Sequence, residues 1–313
     1  MQDSRALDIL AIGEPMVEFA ETDHPGGRFY RHGFGGDTSN TAIAAARQGA
    51  RVGYVTALGE DAFGREIVDL LDREGVDRSG VQMRAGARTG LYFIHYGPDG
   101  HVFSYDRTNS AASRFGVADL PLALIAQSRV LHVSGISQAI SSACTDAVFA
   151  AIHHAKAAGA AVSYDTNLRL ALWPLERARA IIHAAVAQAD IARPGLDDAR
   201  QLTGLNTPDE IASFYLGLGC RIVALTLGRD GTLVATHEER RMIPTFKVDA
   251  VDATGAGDTF TGAFLAEWLR HGDPFRAASY GNGAAALKTL GYGAIAPMPT
   301  REAVETLLRQ QGA

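Results

Sequence analysis

One segment concentrates more chemistry than any other: Val251-Asp252-Ala253-Thr254-Gly255-Ala256-Gly257-Asp258-Thr259-Phe260-Thr261-Gly262. Phe260, Ala263, Phe264 and Trp268 recur at helical spacing, so a helix opens near Ala256. Backbone N–H groups at a helix start have no partner within the helix, and the helix dipole adds positive potential there. Gly255 and Gly257 leave those groups uncovered by side chains, which makes an anion site. Capping alone gives no reason for two glycines, because glycine disfavours helix. Asp258 sits in the first turn, beside any anion held there. A carboxylate so placed repels the ligand unless it serves the reaction, for instance by taking a proton from an attacking hydroxyl. The plainer account is an acidic residue favouring a helix N-terminus.

Three further clusters could complete such a site. In Gly33-Phe34-Gly35-Gly36-Asp37-Thr38-Ser39-Asn40 the paired glycines let backbone approach a ligand closely. Asp37 and Asn40 would then present polar groups suited to sugar hydroxyls. Taken alone, an Asp37 N-cap after a flexible turn is the simpler account. Ser163-Tyr164-Asp165-Thr166-Asn167-Leu168-Arg169 follows a predicted strand, where open α/β sheets bind ligands. Its alternating Asp165, Asn167 and Arg169 suit a site, and a solvated loop would read the same way. Arg107, in Tyr105-Asp106-Arg107, could fork onto a carboxylate with Tyr105 and Tyr92 in support. A surface arginine over a turn is the competing reading.

The elements that must position these residues alternate along the chain. Strands are expected at Asp8–Gly13, Arg51–Ala57, Arg129–Ser134, Ala160–Asp165, Asp190–Arg193 and Arg221–Leu227. Helices are expected at Thr38–Gln48, Ala62–Glu74, Ser142–Ala158, Leu175–Gln188 and Leu196–Thr203, then Ala256–His271, Pro274–Leu290 and Thr300–Gln310. Gly49, Gly75 and Gly159 follow three of these helices, where a left-handed cap favours glycine. The alternation predicts an α/β protein with a mainly parallel sheet and helices on both faces. Two extended segments, Pro15–Phe34 and Arg88–Arg107, break the rhythm, with Gly26-Gly27 and Pro98-Asp99-Gly100 as turns. They predict a small antiparallel flap, with Tyr92, Ile94 and Tyr96 on one face and Leu91, Phe93 and His95 on the other. Its edge could also pair between subunits, giving a homodimer or higher oligomer.

Composition narrows the function classes. A net charge of −6 argues against a nucleic-acid or anionic-membrane partner. Only Lys156, Lys247 and Lys288 are lysines among 29 basic side chains, so no lysine cluster holds an anion. Cys144 and Cys220 suit buried thiols. No long apolar run and no leader-like N-terminus appear, which points to a cytoplasmic protein. There is no Walker-type phosphate loop and no early Gly-x-Gly-x-x-Gly. The histidines lack metal-ligand spacing. Asp197-Asp198, at a helix start, reads first as a solvated face and second as a magnesium ligand.

Taken together these motifs resemble the PfkB, ribokinase-like family of carbohydrate kinases. Gly35-Gly36 with Asn40 is similar to the family's N-terminal signature, and Asp252–Asp258 to its more specific C-terminal one. Gly13-Glu14-Pro15-Met16-Val17-Glu18-Phe19, Gly36-Asp37-Thr38 and Tyr105-Asp106-Arg107 with Asn109-Ser110-Ala111 look most like the family's 2-keto-3-deoxygluconate kinases. Asp165–Arg169 with Leu172-Trp173 looks shared with fructokinases. The resemblance implies a three-layer core over residues 1–14, 35–87 and 108–313, and a β lid over 15–34 and 88–107. It implies Asp258 as base and Gly255, Ala256 and Gly257 as the anion hole. Gly36, Asp37, Asn40, Tyr92, Tyr105, Arg107 and Arg169 map to sugar contacts. Asn167, Thr226, Gly228, Gly231 and Asn282 map to ATP contacts. Many members carry Asn-x-x-Glu near the metal; here Gly195-Leu196-Asp197-Asp198 leaves Asp198 as the candidate magnesium ligand. The implied reaction is ATP-dependent 6-phosphorylation of 2-keto-3-deoxygluconate. A neutral-sugar kinase is the nearest alternative, and a non-catalytic sugar or nucleotide sensor the alternative of another class.

Overall fold

Strands buried on both faces need helices on both sides, and the computed structural model, which describes residues 5–22, 27–97 and 100–311, has that arrangement. The chain runs β1 (Leu7–Ile12), β2 (Met16–Thr22), β3 (Phe29–Gly35), α1 (Asp37–Arg47), β4 (Val52–Gly59), α2 (Ala62–Arg73), β5 (Asp77–Arg84), β6 (Leu91–Gly97) and β7 (Gly100–Asp106). It continues α3 (Leu122–Ala126), β8 (Ser128–Ser134), α4 (Gly135–Ala139), α5 (Ser142–Ala157), β9 (Ala161–Asp165), α6 (Leu175–Val186), β10 (Ile191–Arg193), α7 (Leu196–Thr203) and α8 (Pro208–Leu218). It ends β11 (Ile222–Thr226), β12 (Thr232–Ala235), β13 (Arg240–Ile243), α9 (Ala256–His271), α10 (Pro274–Lys288) and α11 (Arg301–Gln311).

Nine strands form the large sheet in the order β13-β12-β11-β10-β9-β8-β1-β4-β5. All neighbours from β11 to β5 are parallel, and only the β11–β12–β13 edge is antiparallel. Leu10, Val55, Leu131 and Val162 face one apolar layer with α5–α8. Ile9, Tyr54 and Val130 face the other, with α1, α2, α9 and α10. The expected helices and six strands are present, each end within two residues of its expected position. Gly49, Gly75 and Gly159 take positive φ as expected. Cys144 and Cys220 are buried free thiols. Among the described residues no helix is long and apolar enough to cross a membrane.

The smaller sheet corrects one expectation. Its order is β3-β2-β6-β7, and its central pair, β2 with β6, is parallel rather than antiparallel. The reason is topological: β2 and β6 both leave the core, β3 and β7 both return to it, and the two outgoing strands lie side by side. Burial alternates as predicted, Tyr92 and Ile94 inward against half-buried Phe93 and His95. Gly26 and Pro98-Asp99 of the predicted turns, and the Tyr96 side chain, lie outside the described residues.

Candidate active site

A cleft of about 660 Å³ lies beyond the carboxyl ends of β9 and β10, between the large sheet and the smaller one. Five segments distant in sequence converge on it. The start of α1 supplies Gly36, Asp37 and Asn40, and the smaller sheet supplies Met16, Tyr92 and Tyr105. The turn after β9 adds Asn167 and Arg169; β10 and α7 add Arg193 and Asp198. The start of α9 closes the floor with Gly255, Gly257 and Asp258.

The floor is built by close helix packing. Gly262 of α9 lies so near α1 that a Cβ there would stand 2.4 Å from the Thr41 carbonyl. That approach brings Asn40 Nδ2 within 2.8 Å of Asp258 Oδ2, to which it donates. Asn40 Oδ1 is buried with no partner among the described residues. Burial pushes the Asp258 carboxyl up to about 7; the Asn40 hydrogen bond opposes this, and Asp165 reinforces it. Gly255 caps α9 at φ 75, with its Cβ position 3.2 Å from Ala294. This left-handed cap exposes the first N–H groups of α9 to the cleft beside Asp258.

A buried arginine crosses the floor. Arg193 pairs with Asp165, its cross-strand neighbour in the β9–β10 register. Its Nε donates to Thr261 Oγ1 at 3.0 Å, and Nη2 lies 4.0 Å from Asp258 Oδ1. Burial lifts Asp165 to about 6 even with Arg193 drawing it down. Asp198 accepts from the Leu168 N–H at 2.9 Å through Oδ2, and its Oδ1 has no hydrogen-bond partner among the described residues. Burial raises its carboxyl too. By contrast Asp197 is 92% exposed, so the two neighbouring acids split between cleft and solvent.

The other end is arranged around Glu14. This buried carboxylate takes Arg107 Nε at 2.8 Å and Nη2 at 2.5 Å on one oxygen, and Ser110 Oγ at 2.5 Å on the other. Arg107 Nη2 is held there as an ion pair and is buried with no hydrogen-bond partner among the described residues. The Tyr105 ring lies 5.9 Å from the Arg107 guanidinium and stacks on Tyr92 at 6.1 Å. Tyr92 does not support Arg107 as expected: its hydroxyl donates to Glu18, a carboxyl that burial pushes up.

Comparison with known proteins bears on this geometry. The family model described as "pfkB family carbohydrate kinase" matches residues 7–301. The chain belongs to the PfkB family of carbohydrate kinases. A fructokinase-1 from Oryza sativa subsp. japonica is 34% identical over 314 residues, covering 96% of this chain and 97% of the relative. A 2-dehydro-3-deoxygluconokinase from Thermoproteus tenax is 35% identical over 312 residues, covering 97% and 94%. An E. coli protein assigned as ribokinase II, solved with ATP and Mg2+, superposes with a TM-score of 0.89 at 25% identity, over 97% of this chain and 99% of that one.

This PfkB kinase therefore places most of its expected site residues on one cleft, and some elsewhere. Asp37 does not cap α1: Gly36 does, at φ 132, and the Asp37 carboxylate instead accepts from the Ser134 hydroxyl. Ala256 follows Gly255 as the first residue of α9. Thr226, Gly228 and Gly231 do not line the cleft: they belong to the turn after β11, and Thr226 bridges to Gly195, the residue before α7. Asn282 is buried; it accepts from Thr232 Oγ1 at 2.8 Å and donates to the Ile243 and Pro244 carbonyls at 3.1 Å. Both its donors are thereby engaged within the fold. Two residues with no expected role, Glu14 and Arg193, turn out to organise the two ends. A charged residue closing the apolar run Ile191-Ala192 was the available signal for Arg193.

Proposed function

We propose that this kinase transfers the γ-phosphoryl group of ATP to the 6-hydroxyl of 2-keto-3-deoxygluconate. The observation that carries the reading is Asp258. It lies at an N-terminal anion site, is anchored through one oxygen by Asn40, and titrates near neutrality. In this reading Oδ1, the oxygen Asn40 leaves free, accepts the proton of the acceptor hydroxyl as that oxygen attacks. Asn40 Oδ1 is placed to accept from a second sugar hydroxyl. The N–H groups of Gly255, Ala256 and Gly257 stabilise charge growing on the transferring group. Gly36, Asp37, Tyr92, Tyr105, Arg107 and Arg169 shape the sugar end.

In this reading Asn167 and the Thr226–Gly231 turn contact the nucleotide, and Asn282 braces the turn through its bond with Thr232. A hard divalent cation takes oxygen ligands and is commonly held by one or two carboxylates plus phosphate oxygens. Asp198, a cleft-lining carboxylate whose one recorded hydrogen bond is through Oδ2, fits magnesium on those terms. Bound there, the metal would neutralise phosphate charge. The sugar acid is favoured by Arg107, a guanidinium lining the cleft that could fork onto a substrate carboxylate.

A neutral sugar such as fructose is the second reading. Glu14 already matches the Arg107 charge, and fructokinases are as similar to this chain as the gluconate-type relative. ADP release measured with 2-keto-3-deoxygluconate, fructose and ribose separates them. The highest kcat/KM is expected with the keto acid; turnover of fructose with none of the keto acid would overturn the assignment.

A further inference from the structure

Lys288 is a charged side chain with no exposure to solvent at all. It ends α10, and its Nζ donates to the backbone carbonyl of Asp252 at 2.8 Å, 3.9 Å from Asp252 Oδ2. A buried ammonium is costly unless paired, so its partners identify what the fold uses it for. Among the described residues its hydrogen bond and its ion pair are both to Asp252, the residue that opens the turn into α9. The Asp252 carboxylate in turn accepts the Thr254 N–H at 2.8 Å and the Gly293 N–H at 2.8 Å. It thereby ties the anion turn to the loop carrying Ala294, against which Gly255 packs. Glu18 of the smaller sheet and Asp258 are the other charged groups acting on the ammonium through space.

We propose that Lys288 is a positioning residue for phosphoryl transfer, a built-in monovalent cation behind the anion turn that holds Asp252 and so aims the Gly255–Gly257 N–H groups. A hydrophobic filler would complete the packing equally well, but it would leave the inward Asp252 carbonyl without a partner. The turn would then relax, and misplacing preorganised donors by about 1 Å costs on the order of 10²-fold in rate. The inference rests on the phosphotransfer reading given above.

The test compares Lys288→Met, Lys288→Gln and Lys288→Ala with the wild type on its best sugar. Lys288→Met should lower kcat by ~10- to 100-fold with the sugar KM nearly unchanged, because the donors matter most in the transition state. Lys288→Ala opens a cavity, and added ammonium, methylammonium or potassium should restore part of its kcat, whereas tetramethylammonium should not. The wild type should respond to none of them. Wild-type kcat in folded Lys288→Met or Lys288→Gln would overturn the proposal. So would a folded Lys288→Ala that responds equally to small and bulky cations. Should Met not fold, the Gln and Ala arms still decide. Absent turnover in the wild type would instead count against the kinase substrate reading, so the two failures are distinct.

Discussion

The cleft holds two buried arginine–carboxylate pairs, and they are built differently. At the end beside the smaller sheet Glu14 meets Arg107 through Nε and Nη2 while Ser110 donates to its second oxygen, so the carboxylate is fully partnered. At the α9 end one guanidinium, Arg193, stands between Asp165 and Asp258. Asp37 and Asp198 add further negative potential there. Burial outweighs that single cation, so the two acids titrate near 6 and 7. A saturated pair sets geometry. An undersupplied one is basic, and it gains most from a cation or from taking a proton from the reacting hydroxyl.

The comparison can be broken most sharply at Asp258. Asp258→Asn should cut kcat by ~10²-fold or more, as for a lost general base, while calorimetric ADP binding persists. Glu14→Gln should act mainly on the sugar. Equal losses of kcat in both variants would erase the distinction between the two ends. Arg193→Met should be nearly as damaging, because it strands two buried carboxylates. Breaking such a pair costs about 3–5 kcal/mol, readable in chemical denaturation. It should also move the acid limb of kcat/KM upward, since the cation that lowers the Asp258 pKa is gone.

Arg107→Met should raise the KM for a sugar acid by ~10- to 200-fold, for a lost charged contact of about 1.5–3 kcal/mol. It should alter fructose kinetics far less; equal effects on both sugars would favour the neutral substrate. The smallest expected effect is on stability. The folded-state values of Asp165 and Asp258 lie above the ordinary aspartate value of 3.8. Between about pH 4 and 7 the native state therefore binds more protons than the unfolded chain, and stability falls as pH rises through that window. Asp258→Asn removes this penalty and should raise Tm at neutral pH by a few degrees. A Tm lowered by Asp258→Asn would contradict the burial account.

Much of this was legible in the residue pattern, for physical reasons that differ by region. Apolar runs such as Val130–Val133 and the helical face of Phe260 and Phe264 report burial directly, and they delivered the three-layer core. Edge elements were harder to read. Asp77–Arg84 and Arg240–Ile243 pair at the two ends of the sheet with much of their surface exposed, so they show little apolar signal. Pro208–Leu218 carried a capping box at Thr207 and Glu210 that would have located its start. In the site, Asp258 and the flanking glycines declared themselves through local spacing. The Glu14–Arg107 and Asp165–Arg193 pairs did not, because their partners lie 93 and 28 residues apart and meet only once the sheets form.

The central claim is that the undersupplied end of the cleft carries the catalytic base. Its most direct test is kcat/KM against pH for the wild type, Arg193→Met and Glu14→Gln. The predicted result is an acid limb near 7 in the wild type, unmoved in Glu14→Gln and displaced upward in Arg193→Met. A wild-type profile flat from about pH 5 to 8, or a limb that moves with Glu14 and not with Arg193, would contradict it.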